Sequence, residues 1–150
     1  MKISLFQVIV FLFVCSSTSA QSPVSWAFST KKLNDKVYEV HLTATIQNGW
    51  HLFAQRQPEG AIAPSTSFHF NKSPLLNMEG SVKEIGKLEK FKDEVLNISA
   101  NQYSNKVDFV QVVKLKGGVK TAVTGKLEYQ TCNDRQCMPT KAIPFIIALN

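Results

Sequence analysis

Tyr38-Glu39-Val40-His41-Leu42-Thr43-Ala44-Thr45-Ile46 carries one pattern from end to end. Apolar side chains occupy every even position and polar ones lie between them. A period of two puts Tyr38, Val40, Leu42, Ala44 and Ile46 on one face of an extended strand. On a helix the same residues would spread around the cylinder. The stretch therefore reads as a β-strand with one face buried and one face wet.

The neighbouring sequence continues the theme. Upstream, Val24, Trp26 and Phe28 alternate, and Asn34-Asp35 marks a turn. Downstream, Asn48-Gly49 marks the next turn. Trp50-His51-Leu52-Phe53 then sets Trp50 and Leu52 on one face, His51 and Phe53 on the other. Residues 55–64 read as loop, and Ser67-Phe68-His69-Phe70 as a short strand with both phenylalanines on one side. Residues 71–80 read as a second loop punctuated by Pro74 and Gly80, and 81–87 as a weaker strand. Residues 88–102 show no firm period and read mainly as loop. Val107 to Leu115 is a strong strand, turned by Lys116-Gly117-Gly118. Residues 119–131 alternate through Val119, Val123, Leu127 and Tyr129, and the last strand carries Ile143, Phe145, Ile147 and Leu149. Eight or nine short strands without a helical period predict an all-β, immunoglobulin-like antiparallel β-sandwich, with an all-β barrel as the other solution. Trp26, Trp50, Phe68, Phe70 and Tyr129 are expected in its core.

Residues 1–20 stand apart. Lys2 precedes an apolar run from Ile3 to Val14, and small residues lead to Ala20. This is the pattern of a signal peptide cleaved before Gln21, too short to span a membrane. Leu12-Phe13-Val14 lacks the small residue expected before a lipidated cysteine, which argues against anchoring through Cys15. Residues 21–150 then form one exported domain with no later membrane span, large enough for a hydrophobic core. The net charge of +6 comes from scattered lysines rather than a basic run with interleaved aromatics, so nucleic acid is not the expected partner. Asn71-Lys72-Ser73 and Asn97-Ile98-Ser99 match the glycosylation triplet, a pattern common by chance.

With Cys15 removed, Cys132 and Cys137 are the remaining cysteines, and they have one possible pairing. Four polar residues, Asn133-Asp134-Arg135-Gln136, separate them. Such a connection places its flanks opposite each other in a hairpin, about 4.5–5.5 Å apart at Cα, within disulfide range. An exported chain meets an oxidising compartment, where the bond persists. Two roles are open. A staple closing so short a loop stabilises by only about 2 kcal/mol. A redox dithiol at an accessible hairpin tip can exchange with a partner protein. Arg135 favours a thiolate there and Asp134 opposes one. The three histidines show no ligand spacing with the cysteines, so no metal is expected, and no Gly-x-Ser-x-Gly motif supports Ser–His–Asp catalysis.

Tyr129-Gln130-Thr131-Cys132, four residues, then Cys137-Met138-Pro139 resembles the paired-cysteine hairpin of the N-terminal (alpha) domain of the DsbD family, the bacterial thiol:disulfide interchange proteins. Asn48-Gly49-Trp50-His51-Leu52-Phe53 resembles that family's aromatic strand, and Lys92-Asp93-Glu94-Val95 the start of its acidic cap segment. The resemblance spans nearly all of residues 24–149. It departs in having four rather than five residues between the cysteines, and Thr140 after Pro139. It implies an immunoglobulin-like sandwich in the bacterial periplasm that needs no small-molecule cofactor. Cys132 and Cys137 would be the redox pair, with Cys137 the attacking sulfur. Asp93, Glu94, Val95 and Leu96 would form the cap, with His51 and Phe53 beside the site. Taken alone, His51 is a half-buried strand residue. No thioredoxin-like Cys-x-x-Cys follows, so the electron donor is expected in trans, as a thioredoxin-like or DsbD-like membrane protein. The clients would be periplasmic disulfide proteins. The competing function is a non-catalytic exported binding domain with a structural Cys132–Cys137 bond.

Overall fold

A computed structural model describes residues 22–61 and 63–150. The segment 1–20 read as a signal peptide, with Cys15, lies outside the described residues. Nine strands follow in order: β1 (Val24–Lys32), β2 (Val37–Ile46), β3 (His51–Phe53), β4 (Ser67–Phe70), β5 (Leu76–Asp93), β6 (Ile98–Leu115), β7 (Thr121–Tyr129), β8 (Thr131–Cys132) and β9 (Lys141–Leu149). A six-stranded sheet runs β1-β2-β6-β3-β8, with β5 also paired to β6; a three-stranded sheet runs β4-β7-β9. Every pairing is antiparallel. The all-β sandwich expected from the alternation is the fold observed.

The core lies between the two sheets and is built from the predicted faces. Val40, Leu42 and Ala44 of β2 meet Val107, Phe109 and Val113 of β6, and Val123 and Leu127 of β7 close the layer from the other sheet. Aromatic rings fill its centre. Trp26 stacks near Phe109 and edges onto Phe68 and Tyr129. Tyr129 is buried, while Trp26, Trp50, Phe68 and Phe70 are partly buried and packed against the core. Gly125 sits where β7 passes between β4 and β9 (Phe70 and Phe145 flank it in the ladder). A Cβ there would run into the His69 carbonyl oxygen and the Phe145 ring. The glycine is what lets the Phe145 ring and the β4 backbone approach β7 this closely.

The structure corrects the expected strand pattern in four places. The loop expected over 71–80 ends at Leu76, where β5 begins, and the loop expected over 88–102 is strand apart from a turn at 94–97. Together β5 and β6 form one hairpin of two 18-residue strands. These strands hide from a periodicity test because most of β5 is exposed or half-exposed, with Leu76 its one buried residue. Backbone pairing to β6, rather than burial, makes it a strand. The register shifts between Glu79 and Lys83 and again between Gly86 and Leu88, so bulges bend the hairpin. The outer edge of β5 carries Lys83, Lys87, Lys90 and Lys92, charges that discourage another chain from pairing there.

The remaining corrections lie near the cysteines and beyond the β6–β7 turn. Val119 is 60% exposed and lies outside β7. The strand expected over 119–131 breaks at Gln130. Tyr129 ends β7 in the three-stranded sheet, and Thr131 starts β8 in the six-stranded one. The chain therefore crosses between sheets at Gln130, and the Gln130 side chain donates to the Met138 carbonyl across the corner.

Candidate functional site

A period of two explains how the site is assembled. On β3, Leu52 points into the core and is fully buried, so His51 and Phe53 point to the opposite face, where Phe53 is itself buried and His51 half-buried. Phe53 pairs with Gln102 of β6, and His51 pairs with Cys132 of β8. On the β5–β6 hairpin, Phe91 pairs with Ala100 and Asp93 with Ile98. All of these side chains share the outer face at one end of the six-stranded sheet. They line a cleft of about 390 Å³ whose lining is mainly apolar and which also holds Leu96, Gln130, Asp134 and Cys137.

Cys132 and Cys137 are disulfide-bonded, with their Cα atoms 4.0 Å apart. The pair is bridged as expected, but the surrounding strands differ from the simple hairpin expected. Cys132 lies on β8 and Cys137 reaches it through an isolated bridge; the outgoing strand β9 starts only at Lys141 and pairs with β7. The loop between the cysteines is held by its own bonds. Asn133 accepts at Oδ1 from the Arg135 and Gln136 amides, and its backbone amide donates to the Gln136 carbonyl. Met138 closes the outside by donating to the Thr131 carbonyl. Thr131 is buried, Cys132 half-buried and Cys137 exposed. The bond is thus anchored on its Cys132 side and presented on its Cys137 side.

The hairpin tip stands beside the pair. Asp93 Oδ1 accepts from the amides of Val95 and Leu96 at 2.9 Å each, and Asn97 takes a left-handed conformation with φ 52°. This Asx turn is the local reason the strand reverses there. Of the four expected cap residues, Asp93 and Leu96 line the cleft with the cysteines. Val95 is 93% exposed at the tip, and Glu94 pairs with Lys92 at 2.6 Å. Neither is among the cleft-lining residues. His51 and Phe53 both line the cleft. Arg135, between the cysteines in sequence, instead borders a shallow depression with Gly49, Asn133 and Asp134. Of the two charges weighed from the sequence, Asp134 alone lines the cleft.

Phe91 is a residue that sequence reading missed. It is 46% exposed and lines the cleft with Leu96. Its signal was the spacing of two from Asp93, which becomes visible only once residues 88–93 are known to be strand. Polar contacts fix the cleft from behind. Gln57 donates to the Ala54 and Asn101 carbonyls and accepts from the Asn101 amide, tying the 54–66 loop to β6. Tyr103 donates to Glu84 at 2.8 Å, and Glu84 also accepts from the Gln55 amide. Burial, the Glu84 hydrogen bond and the Glu84 charge together hold the Tyr103 hydroxyl well above the ordinary tyrosine range.

Comparison with known proteins follows the same lines. Among solved structures, the reduced N-terminal domain of Neisseria meningitidis DsbD superposes with a TM-score of 0.50 at 17% identity, covering 83% of this chain and 86% of that one. The N-terminal periplasmic domain of ScsB from Proteus mirabilis gives a TM-score of 0.53 at 16% identity, covering 88% of this chain and 51% of that one. At such identities these likenesses show the fold. No curated protein matches the sequence. Among the described residues no helix is long and apolar enough to cross a membrane. The model of one family matches residues 18–145, a span that holds every strand through β8 together with both cysteines, and the chain therefore belongs to the family described as thiol:disulfide interchange protein DsbD, N-terminal.

Proposed function

We propose that this domain is a thiol–disulfide exchange module of the bacterial periplasm, acting through Cys132 and Cys137 as a protein oxidoreductase component. The observation that carries the reading is the placement of the disulfide. It lies in an apolar cleft outside the core, with Cys137 exposed and Cys132 anchored in the sheet. A bond meant only to staple gains little there, since closing so short a loop stabilises by about 2 kcal/mol.

Cys137 is the sulfur a partner reaches. A donor thiolate attacks Cys137 Sγ, the Cys132–Cys137 bond breaks, and Cys132 leaves as a thiolate that takes up a proton. A second donor thiol releases the mixed disulfide, leaving the donor oxidised and the domain a dithiol. In the forward half, the Cys137 thiolate attacks a client disulfide, and the first client sulfur leaves and is protonated. The Cys132 thiolate then attacks Cys137 Sγ, restoring the domain's disulfide and releasing the second client thiol. Two electrons pass from donor to client as dithiols, so no small-molecule cofactor takes part. The donor is a thioredoxin-like or DsbD-like membrane protein acting in trans, and the clients are disulfide proteins of the same compartment. Residues 1–20 supply the export signal. Asp93 and Leu96 form the working part of the cap, with Glu94 and Val95 at its tip. Phe53 and His51 border the pair.

The test is the reduction potential of the pair, measured together with exchange against a thioredoxin-like protein. A potential within the range of exchange proteins, about −120 to −270 mV, with disulfide transfer is the expected result. A potential well below about −300 mV without transfer would overturn the reading and return the bond to a staple.

A further inference from the structure

The outward face that carries Cys132 also carries a hydrogen-bonded chain that the exchange scheme does not use. Ser104 Oγ donates to Glu89 Oε2 at 2.9 Å. The hydroxyl has one proton, so toward His51 Nδ1, 2.9 Å away, Ser104 can only accept. His51 Nδ1 therefore carries the hydrogen of the neutral ring, and the free lone pair sits on Nε2. Glu89 Oε2 lies 3.9 Å from Nδ1. Three elements hold the chain in place: Glu89 on β5, Ser104 on β6 and His51 on β3.

On its other side His51 is the ladder partner of Cys132. Directly opposed residues on one sheet face have Cβ atoms about 4.5–5.5 Å apart, so the imidazole and the sulfur share one space. Among its described lining residues the cleft contains no other nitrogen base. Its charged lining consists of Asp93 and Asp134, and among its described lining there is neither lysine nor arginine. Asp93 faces the cleft from the hairpin tip and Asp134 from the cysteine loop, and each carboxylate disfavours a thiolate between them. His51 is the one lining side chain that can carry a compensating positive charge.

We propose that His51 is the proton acceptor and donor for Cys132, oriented by Ser104 and Glu89 as positioning residues; the proposal rests on the exchange function given above. When a donor breaks the disulfide at Cys137, the departing Cys132 sulfur takes the proton from a His51 imidazolium. When Cys132 resolves the client mixed disulfide, His51 Nε2 first takes the Cys132 thiol proton. The thiolate attacks Cys137 Sγ, the client sulfur leaves with the bonding pair, and the imidazolium returns the proton to it. Cys132 thus has a built-in proton partner, while the exposed Cys137 relies on solvent or the docked protein.

The experiment isolates Cys132 in a Cys137→Ser variant and follows its alkylation by iodoacetamide from pH 5 to 9. Adding His51→Gln is expected to slow alkylation at pH 7 about tenfold, the change in thiolate fraction that one unit of thiol pKa produces. Adding Glu89→Gln instead is expected to give an intermediate profile, and the disulfide form of His51→Gln should still unfold in one cooperative transition. A second measurement keeps Cys137: a small dithiol should reduce the His51→Gln disulfide more slowly than the native one, with the pH dependence altered. Superposable profiles with and without His51, in both measurements, overturn the proposal. Because alkylation needs no partner protein, failure of exchange with a thioredoxin-like protein would fall on the functional reading alone.

Discussion

The two halves of β6 belong to different kinds of structure. From residue 107 to 115 the strand buries Val107, Phe109, Val113 and Leu115 between two sheets. From 98 to 104 it lays Ile98, Ala100, Gln102 and Ser104, of which Ala100 is buried, along the face that carries the cysteines. The first half is held by apolar area removed from water. The second is held by side-chain hydrogen bonds, among them Gln57 to Asn101, Ser104 to Glu89 and Tyr103 to Glu84. Beyond it the tip leaves Phe91, Val95 and Leu96 exposed. The contrast teaches where stability and reactivity sit. On the proposed exchange function, a sulfur attacked in line cannot lie in the core, and a core cannot be opened for every turnover.

The largest effect that would break this division is expected far from the cysteines. Gly125→Ala forces a Cβ against the His69 backbone oxygen, which cannot swing aside as a flexible side chain would. Overpacking of this kind should cost about 3 kcal/mol, read by denaturant unfolding, while the disulfide of the molecules that remain folded exchanges at its native rate. Equal stability of the variant would show that sheet packing does not depend on the close approach. Next in size, replacing both Cys132 and Cys137 by serine should cost about 2 kcal/mol and leave a cooperative folded domain. Global unfolding of that variant would mean that the cysteine end supports the core after all.

The smallest effect sharpens the boundary itself. Tyr103 is inward on the strand, paired with Leu52, and bonded to Glu84. Its folded pKa lies above the ordinary value of 10.0, so above that pH the unfolded chain releases a proton that the folded one keeps. The unfolded state then binds fewer protons, and stability falls as pH rises from about 10 toward the raised folded value. Its contribution is complete below pH 10. Tyr103→Phe should flatten that alkaline decline in pH-dependent unfolding curves. An unchanged decline would place its origin in other groups.

Much of the body was legible because burial leaves a periodic mark. Tyr38, Val40, Leu42, Ala44 and Ile46 announce both a strand and its inner face, and Leu127, Phe145 and Ile147 do the same for the second sheet. The cysteine pair was legible from spacing; alternation around Leu52 put His51 and Phe53 on one face, and their place beside the pair came from the family resemblance. The β5–β6 hairpin was not, because an exposed strand has no apolar period to read. Phe91 was lost with it. The break at Gln130 was equally hidden, since alternation says which way a side chain faces but not which sheet the strand joins.

The sequence by itself determined an all-β chain, its buried faces and a single pair of nearby thiols, because each follows from local spacing of two or from residues close along the chain. Only the tertiary structure decided that His51 pairs with Cys132 in register, that it reaches Ser104 and Glu89, and that Phe91 and Leu96 line the same cleft as the pair. Those contacts join residues up to 81 positions apart, as His51 and Cys132 show. They depend on which strands share a sheet, in what register and on which edge. That choice is made by the whole core, where the burial of many side chains selects one arrangement and carries the exposed face along with it.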